Sequence, residues 1–136
     1  MQIVEMALVA SLMTMLLFGM IEYCRLFFVQ QLVFDAAREG ARYAVVNTSD
    51  STLTADTQTR VNQVLAALPK NVTISSIQVY QCDTTGANTG AATNAAFGTG
   101  IAVEIDGSYI PVLPTLLYFN STVSFKIKSM MLSEAN

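Results

Sequence analysis

The sequence contains no histidine, so the commonest general base and the commonest metal ligand are both missing. No two carboxylates are spaced so as to force an acid next to a base, and Glu22, Asp35, Glu39, Glu104 and Asp106 read as solvated helix and strand positions. These absences predict no catalytic, metal or cofactor site and a protein that is not an enzyme. Charge is also scarce, at 12% of residues, with 7 Lys and Arg against 10 Asp and Glu and no basic cluster. Nucleic-acid binding requires grouped cations that displace counterions, so their absence argues against a nucleic-acid partner. The glycine-rich stretch Cys82 to Gly100 lacks the GKS or GKT ending of a phosphate-cradling loop, which argues against nucleotide binding. It reads as a long surface loop. The 2 cysteines, Cys24 and Cys82, lie in segments of different type and read as separate thiols, Cys24 packing as a small hydrophobe and Cys82 in a loop.

Two further absences define the first third of the chain. No charged residue occurs from Met6 to Ile21, and no proline from Met1 to Val46. The first makes MALVASLMTMLLFGMI a membrane-type helix core, and the second lets the helix run on beyond it. Past Ile21 apolar residues keep helical spacing, and charges fall as the i,i+3 pairs Glu22 with Arg25, Asp35 with Arg38 and Glu39 with Arg42, suited to an exposed helical face. A helix over residues 1–46 would be about 65 Å long, roughly twice the hydrocarbon thickness of a bilayer. Residues 1–23 read as the membrane part and residues 24–46 as the part that packs on a domain; the resemblance given below makes residues 1–23 a filament-core part as well. Gly19 weakens this helix, as does Gly40, which lies in a small-residue stripe with Ala36, Ala37, Ala41 and Ala44. The stripe suits close approach of another helix or packing on the chain's own domain.

Glu5 stands alone at the head of the apolar run. A carboxylate at the edge of hydrocarbon is costly unless paired, so it marks a functional group with a partner. Met1 and Gln2 supply no basic flank, which leaves two readings: orientation by other means, or removal of a basic leader that makes Met1 a processed N-terminus.

Residues 47–136 read as one small α+β domain. Asn47 to Asp56 is polar and ends the helix, and Thr54 or Asp56 is placed to cap a short amphipathic helix carrying Val61, Val64, Leu65 and Leu68 and stopped by Pro69. Period-two patterns follow from Asn71 to Tyr80, with a slip at Ser75 and Ser76, from Ile101 to Ile110, and from Ser121 to Met131. Between the last two, the proline-interrupted VLPTLLYFN reads as an apolar connection covering the sheet or facing a partner. The expected fold is a long N-terminal hydrophobic helix packed on a small antiparallel sheet of three strands with one short helix.

Val4-Glu5-Met6-Ala7-Leu8-Val9, the block Phe18, Gly19, Glu22, Tyr23, and Ala36-Ala37-Arg38-Glu39-Gly40-Ala41-Arg42-Tyr43-Ala44 together resemble the N-terminal signature of TadE-like proteins. These are pseudopilins of the tight-adherence (Flp) branch of the type IV pilin superfamily. Cys24 departs from the pattern, standing where a small residue is usual. The resemblance implies a precursor in the inner membrane, cleavage by a prepilin peptidase, and handling by the Tad secretion machinery. It implies that Glu5 meets the Met1 amine of a neighbouring copy in a homo-oligomeric, extracellular helical filament used for adhesion or surface attachment. The alternative it leaves is a minor pseudopilin that stays in the inner membrane or initiates or caps a pilus of shorter pilins.

Overall fold

The computed structural model describes residues 2–112 and 122–134; Met1, Pro114 and most of the VLPTLLYFN connection lie outside the described residues. The first helix, α1, runs unbroken over Gln2–Val46, 45 residues, as the absence of proline predicts. It ends where Asn47 turns its side-chain amide back to the Tyr43 carbonyl at 2.8 Å. A second helix, α2, spans Leu53–Leu65. It starts earlier than Thr54 or Asp56 would cap it: Thr52 holds the cap position and Asp56 lies in the first turn. Four strands follow, β1 (Val72–Cys82), β2 (Asn88–Ala91), β3 (Gly100–Tyr109) and β4 (Val123–Leu132). All neighbours are antiparallel, in the order β2-β1-β3-β4.

The domain-packing half of α1 and the whole of α2 cover one face of this sheet. The core beneath them is built from Val29, Val33, Ala36, Ala37 and Ala41 of α1, Val61 and Leu65 of α2, Val103, Ile105 and Tyr109 of β3, and Phe125 of β4. The small stripe on α1 therefore packs on the chain's own domain: Ala36, Ala37, Ala41 and Ala44 are fully buried. Gly40 is required by the α1–α2 approach. A Cβ added there would lie 2.5 Å from Val61 Cγ2. Gly40→Ala is expected to destabilise the chain by about 1–2 kcal/mol, because overpacking against a fixed β-branched side chain outweighs the gain in helix propensity. Val61→Ala in the same chain should recover part of that loss, a coupling readable by a double-mutant cycle of thermal unfolding in detergent. Additive losses would mean that the two residues do not meet.

The β1 slip is a real bulge, with the pairing to β3 shifting between Ile74 and Ser76. It allows Ile74 and Ile77, three apart, both to pack against the core. The stretch after β1 departs from the surface-loop expectation. It contains β2, paired with β1 from Tyr80↔Ala91 to Cys82↔Asn88, so the sheet has four strands and not three. Beyond β2, Ala92 and Ala95 are buried with Ala44, Val45 and Leu53, and the Asn94 amide donates to the Thr48 carbonyl at 2.7 Å. Low side-chain bulk here serves close packing on the α1–α2 connection. Cys82 ends β1 as a buried free thiol, whereas Cys24 is a free and exposed one.

Candidate assembly surface

Among the described residues, nothing of the chain packs around the first part of α1, up to Phe18. From Gln2 to Phe18 every residue is exposed, including Ile3, Leu8, Leu12, Leu16 and Phe18. An 18-residue window of this helix reaches a mean hydropathy of 2.0 with 6% of it buried, which is long and apolar enough to cross a membrane. The two hydroxyls in the run are satisfied within the helix, Ser11 donating to the Leu8 carbonyl and Thr14 to the Ala10 carbonyl, each at 2.8 Å. Glu5 sits in the first turn, where the positive end of the helix dipole favours a carboxylate. Among the described residues it has no hydrogen-bond or ion-pair partner. Met1, which the resemblance pairs with it, lies outside them.

At the point where this bare segment meets the domain, the structure places a carboxyl group that the solvated-face reading misassigned. Glu22 is 3% exposed. Its Oε1 accepts a hydrogen bond from the Tyr109 hydroxyl at 2.6 Å and another from the Val112 amide at 2.9 Å. Glu22 thus ties α1 to the end of β3, and its predicted pairing with Arg25 gives way to these two donors. The signal was present in the sequence. Gly19, Glu22, Val29, Val33, Ala36, Gly40 and Ala44, all buried, share one stripe at spacings of three, four and seven. Burial pushes the Tyr109 hydroxyl pKa up, and the Glu22 carboxyl adds to the shift, while Arg25 is near enough to oppose it electrostatically. Of the remaining helical pairs, Arg38 stacks over the Phe34 ring at 5.7 Å, and neither Asp35–Arg38 nor Glu39–Arg42 is among the ion pairs of the described residues.

Those ion pairs lie on the sheet face away from the helices. Glu104, expected to be solvated, is buried there. It accepts from the Tyr80 hydroxyl at 2.9 Å and from Lys126 at 2.8 Å, with Lys128 at 3.4 Å. Asp106 accepts from Ser76 at 2.9 Å and lies 3.5 Å from Lys126. The register explains the cluster, because Glu104 faces Lys128 and Asp106 faces Lys126 across β3 and β4. Lys128 also donates to the Gly86 carbonyl at 2.8 Å, fastening the turn that follows β1 over this face.

The pKa directions here fix a pH window. Lys126, then Tyr80 and Lys128, hold the Glu104 carboxyl below its ordinary 4.5 against the opposing effect of burial. Its stabilising contribution is complete above 4.5 and is lost as pH falls through the lower folded-state value. Tyr80 and Tyr109 are raised above 10.0, chiefly by burial, so their contribution is present below pH 10.0 and is lost as pH rises through their folded-state values. Burial also raises the Cys82 thiol above 9.0, so denaturant midpoints in detergent should hold level from pH 4.5 to 9.0 and fall on both sides, and Glu104→Gln should flatten the acid limb. An unchanged acid limb in that variant would remove Glu104 from the account.

Groups of three or more His, Cys, Asp or Glu that would hold a metal are absent among the described residues. The distinctive surface is the helix. Residues 1–42 match the model of the family described as TadE-like protein. Over these residues the chain is similar to TadE-like proteins. The match stops at Arg42, four residues before α1 ends, so the TadE-like part comprises the bare segment, Glu5, Glu22 and most of the small-residue stripe, while the sheet domain lies beyond it. No curated protein and no solved structure matches the chain. The TadE-like match associates the helix with pseudopilins of the Tad pilus and fits a membrane anchor on a membrane-to-pilus route.

Proposed function

We propose that the chain is a structural pilin-like subunit that polymerises through α1 into an extracellular Tad-type filament serving adhesion or surface attachment. The supporting observation is one continuous helix whose C-terminal half is the spine of a folded domain and whose segment from Gln2 to Phe18 is uncovered among the described residues. Such an apolar surface is stable in two environments, lipid hydrocarbon and a bundle of like helices, and a subunit moving from one to the other uses both. On this reading the chain waits in the inner membrane, a prepilin peptidase exposes the Met1 amine, and the Tad secretion machinery draws subunits into the filament. Within the bundle Glu5 meets the Met1 amine of the next copy. Each relieves the desolvation of the other, and a subunit in a wrong register leaves both unpaired.

Electron microscopy of filaments sheared from cells, with mass spectrometry of their protein, tests this. Regular filaments composed of this chain are the expected result. Recovery of the chain only from the membrane fraction as detergent-soluble monomers, or only as a trace component of filaments built from another protein, would replace it with a minor pseudopilin that initiates or caps the pilus.

A further inference from the structure

The domain has two chemically different poles along α1. At the pole near Glu22, the hydrogen bonds from Tyr109 and Val112 hold the end of β3 at the level of helix residue 22. The start of β1 is held at the same level, since the Ile110 amide donates to the Asn71 carbonyl at 2.9 Å and the Asn71 side chain donates to the Ile110 carbonyl at 2.9 Å. Ile110 and Val112 are nevertheless 49% and 55% exposed. The cations Arg25 and Lys70 are exposed on the same level, and Glu22, the carboxyl group there, is buried. The acidic residues Asp50, Asp56, Asp83 and Glu134 lie toward the other pole. Asp50 and Asp56 flank the start of α2, Asp83 follows the end of β1, and the Glu134 amide donates to the Val45 carbonyl at the end of α1.

We infer that the pole carrying Ile110, Val112, Arg25 and Lys70 rests on an anionic phospholipid surface while α1 spans the bilayer. This rests on the membrane-inserted stage of the proposed function. The helix from Ile3 to Glu22 is about 30 Å long, the thickness of the hydrocarbon, so Val112 is fastened at the level where the span ends. The two exposed aliphatic side chains are then at the depth where apolar groups enter the boundary between headgroups and acyl chains, and the two cations are at the depth of the phosphates.

The test uses the full chain in nanodiscs, with Cys24→Ala removing the exposed native thiol and the buried Cys82 left in place. A fluorophore is attached in turn at Met13→Cys, Val112→Cys and Phe97→Cys, and quenching by lipids carrying a nitroxide at headgroup or mid-chain depth is recorded. Expected are strong mid-chain quenching at 13, headgroup-depth quenching at 112 several-fold above that at 97, and none above background at 97. In neutral phosphatidylcholine discs, and for Lys70→Glu in phosphatidylglycerol discs, quenching at 112 should fall, each cation near the surface changing the docked-to-undocked ratio by about fivefold. If 112 is quenched no more than 97 while 13 is quenched, the docked pole is wrong and the membrane span stands. If 13 is unquenched as well, the membrane reading fails first. Equal quenching at 112 in neutral and anionic discs would overturn the choice of an anionic surface.

Discussion

Glu5→Ala should leave the protein in the membrane fraction and abolish ordered filaments. Membrane insertion depends on the apolar run from Met6 to Ile21, which the substitution extends, so abundance in the membrane should be unchanged or slightly raised. Assembly is affected differently. In a bundle of identical helices the apolar contacts of Leu, Met and Phe change little when one helix slides along another, so they choose a register weakly. A charge and its counter-charge choose strongly, because only one stagger brings them together. Removal of one partner of a buried pair commonly costs about 3–5 kcal/mol, enough to reduce correct addition by roughly two to four orders of magnitude. Negative-stain imaging of sheared material, with immunoblotting of membranes from the same cells, reads both outcomes. Filaments of normal number and diameter from Glu5→Ala would sink the pairing, and Glu5→Gln serves to separate the loss of charge from the loss of side-chain volume.

The second large effect is expected at Glu22. Glu22→Ala deletes the acceptor for a fully buried tyrosine hydroxyl and for a backbone amide, and each donor left without a partner costs about 1–3 kcal/mol. A total loss of about 3 kcal/mol is a large part of the stability of a domain this small. Urea denaturation in detergent should show the midpoint shifting well below that of the parent chain. Glu22→Leu combined with Tyr109→Phe should lose less than Glu22→Ala alone, because removing both polar partners leaves only the Val112 amide unmatched. A parent-like midpoint for Glu22→Ala would mean that the helix and β3 are held together by apolar packing alone.

The same residue shows where sequence reading was sufficient and where it stopped. The long helix, the alternation of β3 and β4 and the bulge at Ser75 were legible because each follows from local periodicity and from the absence of a breaker. A charged residue is exposed by default, which predicts solvated positions for Glu22 and Glu104. Their burial depends on donors supplied from 87 and 24 residues away in the chain, Tyr109 and Tyr80. β2 was missed for a related reason. Asn-Thr-Gly-Ala carries no apolar alternation, and it is a strand only because β1 offers it an edge to pair with. Local composition likewise described the small-residue stripe on α1 correctly and left its partner open; the nearby arrival of Val61 from α2 fills that place.

The continuity of α1 has a consequence for how the outer face of a filament would be specified. With no break between Glu5 and Glu22, the angular position of the domain about the helix axis is set by the number of residues separating the two carboxyl groups. Each added residue turns everything beyond it by about 100° and raises it by about 1.5 Å. A single insertion within the bare segment would leave each folded part intact and yet aim the domain in a different direction. In the proposed filament, the interval between the Glu5 contact and the Glu22 contact would thus act as a dial, and the length of the bare segment would decide which side of the domain the surroundings meet.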